Sequence, residues 1–421
     1  MIITPPESLL RDLFGIAVET ADPMRRIPEA LPPKPDGRVV VIGAGKASAR
    51  MAEAVESVWG PCEGLVITRY GYARPCEGIE IVEAAHPVPD ESGASATRRL
   101  LSLLRSLGSD DFVLALISGG GSALLTDPAG EITNAEKQQI NEALLASGAP
   151  ISQMNIVRKH LSKVKGGQLA AAAYPAKMLA LMISDVPGDD PASIASGPTV
   201  GDLSTPAQAL DILQEYGIGL PASVAAVLAK ESGVLNPDDK RLSKVQNTII
   251  AAPSQSLEAA ANKAAAQGIE VRILGDAIEG EARELARSQA QMALEIQRHM
   301  AAEATPVLLL SGGECTVTRR GDGQGGPNAE YALAVALTLN GAANIHAIAC
   351  DTDGVDGAAE VAGAIVHPQT LSKAISIGID PADYLNRNDS HSFFARLGDQ
   401  VITGPTLTNV NDFRAILISP A

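Results

Sequence analysis

The sequence predicts an α/β fold: a mostly parallel sheet in the N-terminal part and a second α/β domain after it. Three observations carry that prediction. Apolar runs alternate with helical patterns along most of the 421 residues. The apolar runs are apolar throughout, as in strands covered on both faces, and do not alternate in and out. Aromatics make up 3% of the chain against 46% hydrophobic residues, so small aliphatic side chains must pack the core, which suits helices laid closely on parallel strands.

The elements follow in order. Strands are expected at Val39–Ile42, Leu65–Thr68, Ile79–Ala84, Phe112–Ile117, Met178–Ile183, Thr248–Ala252, Val271–Leu274, Val307–Leu310 and Ile345–Ala349, with a closing strand near residue 418. Helices are expected at Lys46–Trp59, Gly93–Leu107, Ala135–Leu145, Gln255–Ala266 and Glu279–Met300, and a further helical stretch at 154–170. The polar, turn-forming run AKESGVLNPDDKRLSKVQ suggests a domain boundary, giving expected domains 1–240 and 241–421.

Composition excludes several roles. Lys plus Arg number 33 against 49 Asp plus Glu, a net charge of −16, whereas nucleic acid and anionic membranes demand a basic footprint. The N-terminus lacks the basic head and unbroken apolar core of a signal peptide. No apolar run reaches the ~18 residues of a membrane span. Cys62, Cys76, Cys315 and Cys350 are scattered without Cys-x-x-Cys spacing, so reduced thiols are expected and a zinc site is not. A cytoplasmic protein acting on small molecules is the expectation. A homodimer is compatible with the sequence, although the few aromatics mark no interface.

VVVIGAGKASARMAEA, residues 39–54, is a strand, a glycine turn and a helix, the arrangement that meets phosphates. It is not a Walker A loop, because residue 40 is Val and residue 47 is Ala. Gly43, Gly45 and Ser48 follow the Rossmann fingerprint more closely, but the second strand ends in Thr68-Arg69 with no carboxylate for a ribose. The run Ser118-Gly119-Gly120-Gly121-Ser122 follows a buried strand, where three glycines let N–H groups converge on an anion. Arg158, Lys159, His160, Lys163 and Lys165 supply local positive charge. Arg158 and Lys165 are seven apart, so one helical face can carry both, and His160 reads as a surface residue.

Asp185, Asp189 and Asp190 lie beyond a strand end, where open α/β sheets place their chemistry. One could act as a general base and another could bind Mg²⁺. A second glycine turn, Ser311-Gly312-Gly313-Glu314, precedes a Gly-rich loop entering a helix at Asn328. Asp351, Asp353 and Asp356 follow; Val355 spoils an EF-hand pattern.

These motifs together resemble the glycerate 2-kinases that carry a MOFRL domain, some of which bear the name hydroxypyruvate reductase of tartrate-utilisation clusters. The resemblance runs from about residue 5 to the end. It rests on GAGKAS, HPVPDE, SGGGSALL, NIVRKHLSKVKGGQLA, SDVPGDDPASIASGPT, LSGGECTVT, GGPNAEYALA, DTDGVDG and TGPTLTNVNDF. It implies ATP- and Mg²⁺-dependent phosphorylation of D-glycerate at the 2-hydroxyl, in a cleft between a Rossmann-like N-terminal domain and a C-terminal MOFRL domain. On this resemblance Lys46 is the essential lysine and Asp189 the base. The resemblance places Gly119, Gly120, Gly121 and Ser122 in the anion-binding backbone, and the motifs themselves add Gly43, Gly45, Ser118, Arg158 and Lys165 as substrate or phosphate contacts. Ser311, Gly312, Gly313, Glu314 and Asn328 line a second wall with Asp351; from the aspartate pattern itself, Asp351 and Asp353 are the candidate metal ligands, with nucleotide contact the open alternative. One departure stands out: Pro327 occupies a position where many members carry arginine. Two alternatives stay open, an NAD(P)H-dependent hydroxypyruvate reductase and a kinase for another small hydroxy acid.

Overall fold

A computed structural model describes residues 5–421, so the first four residues of the expected N-terminal domain lie outside it. The chain forms two compact units. One is Pro23–Ile250; the other joins residues up to Asp22 with Ala251–Ala421. Two elements thus sit differently from the expected division at 240/241. The strand after residue 244 completes the first sheet, and the N-terminal helix belongs to the second unit.

The first unit is built on β1 (Val39–Ala44), β2 (Glu63–Arg69), β3 (Ile79–Ala84), β4 (Phe112–Ile117), β5 (Lys177–Ile183) and β6 (Val245–Ala251), in the order β3-β2-β1-β4-β5-β6. β1 pairs in parallel with both β2 and β4, Val41 lying opposite Gly64 and Leu114. Every residue of β1 is buried, which is why these strands read as unbroken apolar runs. Val40, Ile42, Val113, Ala115 and Ile117 pack against Leu100, Leu101 and Leu104 of the helix Glu91–Leu104. Between β1 and β4 the strand order reverses direction, opening a crevice at the carboxyl ends of these two strands.

A helical layer adds to this unit. Asn134–Ser147, Ile151–His160 and Pro206–Glu215 share an apolar cluster that includes Ile140, Leu144, Val157, Ile212 and Leu213. Thr133 with Glu136, and Thr205 with Gln208, form capping boxes that fix where two of these helices begin. The expected helical stretch 154–170 is broken. Its helix stops at His160, and Gly166 and Gly167 adopt positive φ before a short helix at Gln168–Ala173.

The second unit holds β7 (Glu270–Gly275), β8 (Gly280–Glu281), β9 (Val307–Gly313), β10 (Cys315–Thr316), β11 (Ile345–Asp351), β12 (Gly363–Val366), β13 (Gln400–Val401) and β14 (Asp412–Ile418). β8 and β10 form a small ribbon; the others make a sheet ordered β13-β12-β11-β14-β9-β7. β14 runs antiparallel to both β11 and β9, so this sheet is mixed. Alternate residues face opposite sides. Leu308, Leu310, Phe413 and Leu417 meet the helices Pro6–Thr20 and Pro253–Ala265, whereas Leu309, Ala347, Ile416 and Ile418 meet Ala282–Arg298 and Pro327–Leu339.

Candidate functional site

The loops after β1 and β4 are locked together at the crevice. Lys46 N donates to Gly119 O (2.8 Å), and Ala47 N to Ser118 Oγ (3.0 Å). Ser48 Oγ donates to Leu116 O (2.9 Å). Gly45 has φ +145°, and a β-carbon there would stand 2.0 Å from Ser118 Oγ; one at Gly43 would stand 2.5 Å from Leu116 O. Only glycine permits this approach. Ser118, expected as a ligand donor, is fully buried and acts as the bolt between the two loops.

Next to the bolt is a cavity of about 290 Å³ lined by Gly120, Ser122, His86, Thr126, Lys137, Asn141, Arg158 and Lys165, among others. No Asp or Glu is among its lining residues. Gly120, at φ +78°, separates two of its neighbours: a β-carbon there would meet His86 Nε2 at 2.9 Å and Lys46 Cγ at 3.3 Å. The lysine predicted to be essential therefore adjoins the glycine loop. Gly121 is packed from the other side, its β-carbon position 2.8 Å from Ala195 Cβ.

Lys165 is buried and donates to Ser122 O (2.7 Å) and Ser122 Oγ (2.9 Å), and Ser122 Oγ lies 2.9 Å from Ser196 Oγ. Arg158 Nε donates to Asn141 Oδ1 at 2.7 Å. Arg158 and Lys165 thus reach the same cavity, but from a helix and a turn and not from one helical face. Burial, then the neighbouring Lys137, Arg158 and Lys159, pushes the Lys165 ammonium well below the ordinary lysine value. Burial likewise lowers Arg158. Lys159 and His160 serve the structure. Lys159 pairs with Asp202 (2.5 Å), and His160 is buried between Ser232 (2.7 Å) and Ser204 (3.1 Å), contrary to the surface position expected of it.

The loop after β5 covers this region through Ala195 and Ser196. Asp189, Ala195 and Ser196 all have φ between +51° and +62°, strained for residues with a β-carbon, and such strain concentrates at functional loops. Asp190 is spent on the turn, accepting from Ala192 N and Ser193 Oγ. Asp189 Oδ1 is buried and has no hydrogen-bond partner among the described residues.

In the second unit the predicted residues gather at the ends of β9, β11 and β14. Ser311, Gly312 and Gly313 lie inside β9 opposite Arg414, Phe413 and Asp412. Gln289 lies within hydrogen-bond distance of Ser311 Oγ (3.3 Å), and Arg414 donates to the carbonyls of Gly312 (3.1 Å) and Gly313 (3.3 Å). Glu314 is exposed just beyond. Asn328 opens the helix Pro327–Leu339; its amide donates to Asp412 Oδ1 (2.6 Å), and its backbone N–H and that of Ala329 donate to the Asp356 carboxylate (2.9 and 2.8 Å). His391 Nε2 stands 3.1 Å from Asp356 Oδ2. Asp351 Oδ1 accepts from Asp353 N and Asp353 Oδ1 from Val355 N. Among the described residues no three His, Cys, Asp or Glu side chains are grouped to hold a metal.

Comparison with known proteins bears directly on these motifs. A domain of unknown function (DUF4147) matches residues 9–229, and the MOFRL family matches residues 307–412. The D-glycerate 2-kinase of Thermotoga maritima is 40% identical over 413 residues, covering 97% of this chain and 98% of that protein. The chain belongs to the glycerate 2-kinase family. The crystal structure of glycerate kinase from Thermotoga maritima superimposes with a TM-score of 0.87, at 40% identity, over 98% of this chain and 100% of that one. A protein of Agrobacterium vitis that bears a provisional hydroxypyruvate reductase name is 51% identical over 97% of this chain and 94% of its own length.

In this member of the glycerate 2-kinase family, Gly120, Ser122, Arg158 and Lys165, singled out in the sequence, line the cavity, and so do Lys137, Asn141 and His86, which were given no role there. HPVPDE was legible as a motif without a role. Lys137 gave no signal, because one lysine on an amphipathic helix looks like any solvated lysine. Pro327 sits in the first helical turn, where its missing N–H costs nothing. Arg319, which precedes the Gly-rich loop, is exposed and donates to Gly321 O.

Proposed function

We propose that the chain is an ATP-dependent kinase that phosphorylates D-glycerate at its 2-hydroxyl. The observation that carries this is the cation-lined cavity beside Lys46 and the glycine loop, at the reversal point of a parallel sheet. Arg158 and the groups around Ser122 hold the glycerate carboxylate. Asp189 orients the 2-hydroxyl and takes its proton as the oxygen attacks the γ-phosphorus and the bond to the ADP oxygen breaks. Lys46 offsets charge on the transferring group. Phosphoryl transfer asks for positioning and charge compensation more than covalent help, and these are what the residues offer.

Asp351 and Asp353 are the carboxylates proposed for Mg²⁺, a hard cation that takes one or two carboxylates and shares the rest of its shell with phosphates and water. Two hard oxygen donors at the end of β11 fit that requirement. Bound with ATP, the ion would neutralise phosphate charge. Ser311, Gly312, Gly313, Glu314 and Asn328 are proposed as nucleotide contacts.

The reductase reading meets a physical obstacle. Gly45 N, Lys46 N, Ala47 N and Ser48 N, the donors that a dinucleotide pyrophosphate would use, are bonded to Ile67 O, Gly119 O, Ser118 Oγ and Gly45 O. At the end of β2, Thr68 is buried against Gly45 O and Arg69 stacks on Tyr72, 4.6 Å from the ring centre. An ADP-release assay with Mg-ATP and D-glycerate, run beside NADH and NADPH oxidation with hydroxypyruvate, decides between the two. Glycerate-dependent ADP with silent nicotinamide absorbance is expected; nicotinamide oxidation without ADP would overturn the reading.

A further inference from the structure

Lys137 belongs to the helix Asn134–Ser147, whose Asn134, Lys137, Gln138, Asn141 and Leu145 recur at three- and four-residue spacing and line the cavity together. A lysine so placed ordinarily extends its ammonium into water. Here it turns inward and donates to the buried Thr126 Oγ1 at 3.1 Å. That brings it to the wall already occupied by Arg158 and Lys165. Three cations around one small space repel one another, and burial raises the cost. The effect is recorded in Lys137 itself, which burial, joined by Arg158 and only partly opposed by Asp127, brings down to about 8. Asp127 is shared, lying 3.9 Å from Lys163. The Thr126 backbone N–H is tied to Thr97 Oγ1 (3.2 Å), so the hydroxyl that draws Lys137 inward stands on a fixed strut. An arrangement that costs the empty protein is explained by a ligand whose negative charge relieves it.

We propose that Lys137 is a further substrate-binding and specificity-determining residue, which holds the carboxylate of a short 2-hydroxy acid together with Arg158. The proposal rests on the kinase reading for the identity of the acid, but on the cavity alone for the charge it recognises. Selection is then for carboxylate over uncharged polyols and amides, because a neutral ligand would leave three cations uncompensated.

The test is calorimetric titration of D-glycerate, glyceramide and glycerol into the wild type and into Lys137→Met and Lys137→Arg, with and without ADP, followed by steady-state kinetics. Lys137→Met removes the charge while keeping most of the length of the side chain. It is expected to weaken glycerate binding by ~10- to 100-fold, the range of a charge-assisted hydrogen bond, with the loss falling on KM for glycerate far more than on kcat or on KM for ATP. Lys137→Arg is expected to recover most of it, and glyceramide is expected to bind weakly to all three proteins. Unchanged glycerate binding in Lys137→Met overturns the proposal. So does a loss that glyceramide shares equally, which would be steric. Glycerate binding without ADP formation overturns the kinase reading and leaves Lys137 in place. No glycerate binding to the wild type under either condition overturns both.

Discussion

At the scale of single residues, the site is governed by how charge is held away from water. Lys137 is brought down to about 8, so it is protonated below that pH and neutral above it. An anionic substrate binds the protonated form, and affinity therefore falls as pH rises through 8. We expect KM for glycerate to climb above pH 8 while Lys137→Met shows a flatter profile, as initial rates across a pH series will check. Asp189 makes a separate prediction. Its Oδ1 has no hydrogen-bond partner among the described residues and its backbone is strained at φ +53°. Replacing Asp189 by Asn keeps the shape and removes the base, so kcat is expected to fall by ~10²-fold or more with a smaller change in KM. A near wild-type kcat would remove Asp189 from the mechanism.

At the scale of elements, the glycine turns act as a pair. The loop after β1 supplies N–H donors and the loop after β4 supplies the acceptors, so neither loop keeps its shape without the other. Gly45→Ala would force a β-carbon into Ser118 Oγ at a φ that L residues rarely adopt. We expect a loss of at least about 2 kcal/mol in stability, read from denaturant unfolding, together with loss of activity. Much of this was legible beforehand. The nine strands expected before the closing one correspond to β1–β7, β9 and β11, because buried strands announce themselves as apolar runs. β12 was not read: Gly363–Val366 is too short for a run to stand out. The polar stretch before β14 was also opaque. Thr408, Asn409 and Asn411 are buried through specific hydrogen bonds, such as Thr408 Oγ1 to Ala21 O (2.8 Å), that no local pattern encodes. The glycines of the two loops were visible because they break local rules. Lys137 obeys them, and only tertiary structure shows where its ammonium goes.

At the scale of the whole molecule, the division into units does not follow the order of the chain. The helix Pro6–Thr20 buries Leu9, Leu10, Leu13, Phe14 and Ala17 in the second unit, and Phe14 packs 5.9 Å from Phe413. Each leucine or phenylalanine side chain contributes ~1.5–3 kcal/mol on full burial, and a domain's total stability is only ~5–15 kcal/mol. Deleting residues 1–22 is therefore expected to lower Tm and open sites within 251–421 to limited proteolysis, while Pro23–Ile250 stays resistant. Equal protection of both units would show the helix to be dispensable.

That helix has a consequence for how the protein is made. It leaves the ribosome before any strand of the first sheet, yet the surface it covers, Leu308, Leu310, Phe413 and Leu417, emerges only after all of that sheet's strands. Throughout translation the nascent chain carries an amphipathic segment with no native partner, the kind of exposed apolar surface that chaperones hold. A segment translated ahead of the first sheet thus finds its place only after that whole sheet has been made.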